Sequence, residues 1–260
     1  MKKNNREVIG IIPVRMGSSR FPGKPLAKIS GLPMIGHIYF RSLMVKKIDR
    51  LYVATCDEEI REYCESIGAE VLMTSDKHTR ALDRVAEATC QIVDRKSNPI
   101  VLNIQGDEPL IQPQVIEELL AEFQDDNVCS ALLAIPIKTK ELFENPDTVK
   151  VIVSKSGYMA YSSRGLIPYQ KNANNIEHAH RIAGLFAFKL QELLKFTLLS
   201  ESPLEILESC DVNRMIDNNM PVKVSIVDIE NYYSVDRLSD IGLVESVMVN
   251  DELHKIYKTN

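Results

Sequence analysis

The run Val8-Ile-Gly-Ile-Ile-Pro-Val is apolar and rich in Ile and Val, and it predicts a short, fully buried strand. It breaks at once into a loop carrying Arg15, Gly17, Ser18, Ser19, Arg20, Gly23 and Lys24. Small residues let backbone N–H groups approach phosphate oxygens, and Arg15 and Lys24 supply positive charge, so this loop suits a polyphosphate. It is not a Walker A loop, because Lys24 is followed by Pro25, and it lacks the G-x-G-x-x-G dinucleotide fingerprint. The alternative is a surface loop with solvated charges, but a loop positioned by a buried strand is where function concentrates.

The rest of the chain alternates between strand and helix patterns. Strands are expected at Arg50–Thr55, Glu70–Met73, 99–105 and 128–136, with helices from Pro33, from Asp57 to Gly68, over Ala81–Val93 and near 113–123. This order predicts an α/β fold with a mostly parallel, Rossmann-like sheet covered by helices on both faces. Ligands in such sheets bind beyond the carboxyl ends of the strands, so the loops after Val14, Thr55, Met73 and Gln105 share one rim. From about 137 to 188 the pattern is less regular and reads as antiparallel pieces, a flap inserted into a single 260-residue domain. The tail returns to α/β, with a helix from about Leu204 to Asn218, a strand at 222–227 and a last helix from Val235 to about Met248.

At the end of the fourth strand stands Gln105-Gly-Asp-Glu-Pro. Asp107 on that rim, opposite a phosphate loop, is a natural Mg²⁺ ligand, since magnesium uses one or two protein carboxylates and fills its shell with water and phosphate oxygens. From position alone, a turn-closing or helix-capping carboxylate explains Asp107 equally well.

Several stretches then resemble, in order along the chain, the cytidylyltransferases that activate 3-deoxy-manno-octulosonate (Kdo). They are Ile12-Pro-Val-Arg-Met-Gly-Ser-Ser-Arg-Phe-Pro-Gly-Lys-Pro-Leu26, Val53-Ala-Thr55, Glu70–Thr74, Asp83–Glu87, Gln105–Ile111, Asn145–Val151, Gly157–Tyr169 and Ser202–Glu205. A later Val235-Asp236, followed by Leu238 and Asp240, resembles the family's second metal stretch, although Asp236 alone reads as a helix-capping acid. The resemblance implies a nucleotide-diphospho-sugar transferase type of fold, with CTP and a sugar acid as substrates and Mg²⁺ as cofactor. It implies Arg15, Lys24, Asp107 and Asp236 as the catalytic set, with Asp107 and Asp236 on the metal. The nucleotide would contact Pro13, Arg15, Met16, Gly17, Ser18, Ser19, Arg20, Lys24, Thr74 and Gln105, and the sugar Arg164 and Asp211. It further implies a homodimer whose product feeds lipopolysaccharide or capsule synthesis.

The chain departs from the family at three places. His78-Thr-Arg-Ala-Leu-Asp-Arg84 carries Arg80, Ala81 and Leu82 where the family has Ser-Gly-Thr near the nucleotide, which puts strict cytosine recognition in question. Ile182 and Val212 stand where the family has a His and a Gln lining the sugar pocket. A pocket built around one hydroxyl pattern discriminates strongly, so these losses point to a modified sugar such as 8-amino-Kdo, whose ammonium could pair with Asp211. Neutral drift with the same sugar is the plain alternative.

Composition narrows the remaining classes. A net charge of −5 gives no general basic surface for a nucleic-acid partner. The polar start and the short first apolar run resemble neither a signal peptide nor a membrane span. Five scattered cysteines form no C-x-x-C or zinc spacing, and His178 and His180 are two apart, so reduced thiols in a cytoplasmic protein are expected. Two rivals stay open: a same-fold nucleotidyltransferase for a nonulosonic acid or another base, and a non-catalytic nucleotide- or sugar-binding regulator. The missing glycine fingerprint disfavours a dehydrogenase.

Overall fold

The computed structural model describes residues 6–18, 20–94, 96–169 and 176–258. Its contacts divide into two compact units, Arg6–Glu117 with Glu230–Asn260, and Glu118–Ile229.

The first unit is built on β1 (Val8–Pro13), whose six residues are all buried. Ile9, Ile11 and Ile12 have no exposed surface, which at about 1.5–3 kcal/mol per buried side chain makes this strand a main source of the unit's stability. A short ribbon of β2 (Lys28–Ile29) and β3 (Leu32–Pro33) leads into α1 (Met34–Leu43). Then come β4 (Arg50–Thr55), α2 (Glu58–Ser66), β5 (Glu70–Met73), α3 (Ala81–Ile92), β6 (Ile100–Ile104) and α4 (Pro113–Ala121). Strand β1 pairs in parallel with β6 on one side and β4 on the other, and β4 pairs in parallel with β5. Parallel pairing puts the ends at Pro13, Thr55, Met73 and Ile104 on one rim, as the alternation of patterns predicts. Helix α2 stops where Gly68 takes φ +80°, a conformation a β-carbon would strain.

In the second unit, β7 (Ser130–Pro136) is followed by α5 (Lys140–Glu144), β8 (Lys150–Val153), β9 (Met159–Ser163), β10 (His180–Lys189), α6 (Leu190–Thr197), α7 (Pro203–Glu208), α8 (Asn213–Asp217) and β11 (Lys223–Ile226). Strand β7 pairs antiparallel with β10 and parallel with β11, while β8 pairs antiparallel with β9 and β10. The expected antiparallel pieces include a hairpin, β8–β9, turned at Gly157 with φ +79°. The described residues of the irregular stretch at about 137–188 thus lie among the other elements of this unit, and 170–175 lie outside the described residues.

Two expectations are corrected here. The single helix expected from Leu204 to Asn218 is two helices, because Ser209 takes a left-handed conformation, φ +50°, and ends α7. The helix expected from Val235 begins only at α9 (Ile241–Met248), after a 3-10 turn at Leu238–Asp240, and a further helix α10 (Glu252–Tyr257) follows. Among the described residues no helix is long and apolar enough to cross a membrane.

Candidate active site

The loop after β1 is folded by its own backbone. Ser18 N–H and Gly23 N–H both donate to the Met16 carbonyl, at 2.9 and 3.0 Å. Gly23 sits at φ +74°, which turns Lys24 back into a short 3-10 helix held by Pro25. Met16 N–H donates to Asp57 Oδ2, 2.8 Å away, so the end of β4 anchors the loop.

The second strand end comes in equally close. At Gly106 a β-carbon would run into Val14 Cγ1, which leaves only glycine room to let the chain cross the end of β1. Asp107 follows and turns its carboxylate to the phosphate loop. Its backbone carbonyl accepts Val235 N–H at 2.8 Å, tying the segment before α9 to the same place. Asp236 comes next. Its backbone N–H and that of Arg237 donate to Asp240 Oδ2 at 2.9 and 2.8 Å, so Asp240 does the capping that position alone would assign to Asp236. The Asp236 carboxylate is left for the site.

Lys24 closes this arrangement. Its Nζ lies 2.9 Å from Asp107 Oδ2, 2.9 Å from the Val235 carbonyl oxygen and 4.0 Å from Asp236 Oδ1. Arg20 Nη2 meets Asp236 Oδ1 at 2.8 Å. Residues 212 positions apart in sequence, Lys24 and Asp236, are therefore brought together in one unit. The ammonium is a stand-in for a cation surrounded by two carboxylates and a carbonyl, a hard, all-oxygen donor set. Such a set fits Mg²⁺.

The remaining predicted nucleotide residues line the same rim. Pro13 ends β1 and pairs with Ala54, Gln105 follows β6, and Thr74 follows β5. Arg15 donates to the His78 carbonyl at 3.2 Å. Thr74 is fixed by Arg84, a buried guanidinium that donates to its Oγ1 and reaches Cys56 Sγ at 3.5 Å. His78 pairs with Glu87, which also accepts Ser75 N–H; burial opposes the Glu87 charge, yet these partners hold its carboxyl below the usual range. Leu82, one of the departures, is 4% exposed, so its side chain packs inward. Ser19 lies outside the described residues. Arg84 and Asp240 stand in matching stretches but the sequence gives them no role, and Asp57 carries only a faint signal, an acid straight after a strand on the rim.

The two sugar candidates lie in the other unit. Arg164 directs Nε, Nη1 and Nη2 to the carbonyls of Glu208, Pro146 and Ser209 at 3.1, 2.9 and 3.3 Å, and its N–H to the Glu208 carboxylate. These three bonds use one N–H each of Nε, Nη1 and Nη2 and hold the guanidinium in place. Beneath it Lys150, fully buried, donates to the carbonyls of Asn145, Thr148 and Arg164. Burial, then the Arg164 charge, pushes its ammonium pKa down. Asp211 is partly exposed in the turn just before α8, next to the buried Val212.

A parallel α/β rim with a phosphate loop facing two carboxylates defines a nucleotidyltransferase. A family model described as cytidylyltransferase matches residues 9–224. The chain is 36% identical over 251 residues to the 3-deoxy-manno-octulosonate cytidylyltransferase of Thermodesulfovibrio yellowstonii, covering 92% of this chain and 97% of that protein. It is 37% identical over 240 residues to the 8-amino-3,8-dideoxy-manno-octulosonate cytidylyltransferase of Shewanella sp. (strain W3-18-1), covering 92% and 97%. The solved structure of a CMP:2-keto-3-deoxy-manno-octonic acid synthetase complexed with CTP superimposes with a TM-score of 0.85 at 33% identity, covering 94% of this chain and 98% of that one. The chain belongs to the cytidylyltransferase family, and more narrowly to that of the 3-deoxy-manno-octulosonate cytidylyltransferases.

Proposed function

We propose that this chain transfers CMP from CTP to a 2-keto-3-deoxy octulosonate, Kdo or its 8-amino analogue, and releases pyrophosphate. The anomeric hydroxyl oxygen attacks the α-phosphorus, the bond to the β-phosphate breaks in line, and the hydroxyl proton is lost. The observation that carries the reading is the meeting of Lys24 with Asp107 and Asp236 at the mouth of the β1 loop.

Each residue then has a task. Arg15, Arg20 and Lys24 bind the triphosphate with the loop from Met16 to Ser19, and stabilise the charge that builds on the departing pyrophosphate. Asp107 and Asp236 would hold Mg²⁺, which when bound neutralises phosphate oxygens and acidifies an attacking hydroxyl. Thr74 and Gln105, on the rim beside Pro13, contact the nucleoside. Arg164 and Asp211 are assigned to the acceptor from their places in the matching stretches.

The same reading includes a homodimer, supported by the exposed apolar side chains of Leu166, Tyr169 and Leu207 in the second unit. Five free thiols fit a cytoplasmic enzyme, one that prepares sugar acid for lipopolysaccharide or capsule. The test is pyrophosphate release with Mg²⁺ and CTP, with Kdo and 8-amino-Kdo in parallel and Asp107→Ala as control. Release with one sugar, lost in the variant, establishes the reaction and the acceptor. No release with either overturns it.

A further inference from the structure

Lys24 touches two kinds of partner that cannot both be satisfied at once. Its ammonium lies 2.9 Å from Asp107 Oδ2 and 4.0 Å from Asp236 Oδ1, the carboxylates suited to a divalent cation. Its place in the β1 loop makes it a partner for triphosphate oxygens as well. A divalent cation held by Asp107 and an ammonium on the same carboxylate would repel each other strongly.

The carboxylates do not need Lys24 to stay where they are. Asp107 and the Asp236 segment are joined by the Val235 N–H to Asp107 carbonyl bond at 2.8 Å. Asp240 holds the Asp236 backbone from behind. Gly106 packs against the end of β1. Lys24 by contrast reaches the carboxylates at the tip of a long, flexible side chain. The backbone that carries the carboxylates is thus held without Lys24, whereas a lysine stem has the rotatable bonds to carry its ammonium to another partner.

From this we infer that Lys24 acts as an exchangeable internal cation that makes metal binding depend on nucleotide. The inference rests on the two-carboxylate metal site proposed above. While Lys24 is on Asp107, a divalent ion competes with an ammonium already in place. A triphosphate draws Lys24 onto its own oxygens and off Asp107, so nucleotide and metal tighten each other's binding by the same factor. Lys24 then serves the reaction twice, as a phosphate ligand and as the group that balances the Asp107 charge until the nucleotide arrives.

The experiment titrates Mn²⁺ against the full-length protein by electron paramagnetic resonance, with and without CTP. Without CTP, Lys24→Met binds Mn²⁺ at least tenfold more tightly than the unaltered protein, and adding Asp107→Asn to Lys24→Met removes the gain. Lys24→Gln provides the same comparison should Lys24→Met lose its fold by circular dichroism. Equal Mn²⁺ affinity in the unaltered and Lys24-substituted proteins overturns the inference. The CTP arm separates this from the metal reading itself: the unaltered protein must hold Mn²⁺ more tightly than CTP alone does, and Asp107→Asn must lose that excess. If the CTP arm fails, the two-carboxylate site falls; if only the Lys24 gain is missing, the exchange alone falls.

Discussion

Gly106 lies so close to Val14 that a β-carbon there would collide with Val14 Cγ1 and come within 3.1 Å of the Pro13 carbonyl oxygen. Neither neighbour can yield easily, because one is a β-branched side chain and the other is backbone at the end of a buried strand. Gly106→Ala therefore pushes the Asp107 turn away from the phosphate loop. We expect a stability loss of about 1–3 kcal/mol in urea melts, the usual cost of overpacking. We also expect a fall in kcat of at least about tenfold, since a displaced charged group loses much of its effect. Full activity in Gly106→Ala would show that the loop has slack.

Asp57 is the anchor of the phosphate loop, through its 2.8 Å bond from Met16 N–H. A hydrogen bond to a charged group contributes about 1.5–3 kcal/mol. Asp57→Ala should loosen the loop and raise KM for CTP by roughly tenfold, at a cost within that same range. Steady-state kinetics with varied CTP checks it; a change in KM for the sugar acid alone would contradict the assignment.

The second unit carries a buried ion pair, Arg214 with Glu205. Its two bonds are 2.7 and 2.6 Å long, the side chains are 4% and 0% exposed, and the guanidinium stacks over Phe196. Glu205→Ala leaves the Arg214 charge buried without its main partner and should cost about 3–5 kcal/mol. Replacing both residues by apolar ones, Glu205→Leu with Arg214→Met, should recover most of that loss. Chemical denaturation of the three variants measures it, and additive losses would rule out coupling.

His37 makes the first unit sensitive to acid. It is fully buried, with Nε2 2.8 Å from the Ile29 carbonyl oxygen and Nδ1 2.9 Å from Tyr257 Oη. A proton on Nε2 donates to Ile29, so Nδ1 accepts from the Tyr257 hydroxyl, whose oxygen in turn accepts from Arg41 Nε at 3.0 Å. Burial pushes the His37 pKa down to about 4, against an ordinary 6.5. The unfolded chain takes up its proton near pH 6.5 and the folded chain only near 4, so stability falls as pH falls across that window. The full loss at the acid end is about 3 kcal/mol. Asp251, kept below the usual carboxylate range by Arg41 despite burial, adds a loss in the same direction at still lower pH. Urea melts at pH 7.5 and 5 should show a smaller difference for His37→Gln than for the unaltered protein; equal differences would sink the assignment.

Much of this was legible before any coordinates. Periodicity marks β1, β4 and β6, whose apolar runs are buried, and α2 and α3, which bury one stripe each, while β5 is marked by its short Val-Leu-Met run between Gly68 and the next loop. The helix breaks at Ser209 and before Ile241 were not legible. They depend on a left-handed serine and on Asp240 binding backbone N–H groups, and neither alters apolar spacing. Of the site, Arg15, Lys24 and Asp107 are visible in their loops as charges beside small residues. Asp236 is visible only through family resemblance, because one acid before a helix is ordinary.

By itself the sequence determined the strand-and-helix order, the cation-bearing loop after β1 and the family, since all three are local patterns read along the chain. Only the tertiary structure decided which charges meet. Lys24 rather than Arg15 sits on Asp107, Asp240 rather than Asp236 caps the backbone, and Arg164 spends its guanidinium on three carbonyls. Each choice turns on how closely two strand ends or loops approach. That distance is set by packing between residues as far apart as Val14 and Gly106, and no pattern of nearby residues encodes it.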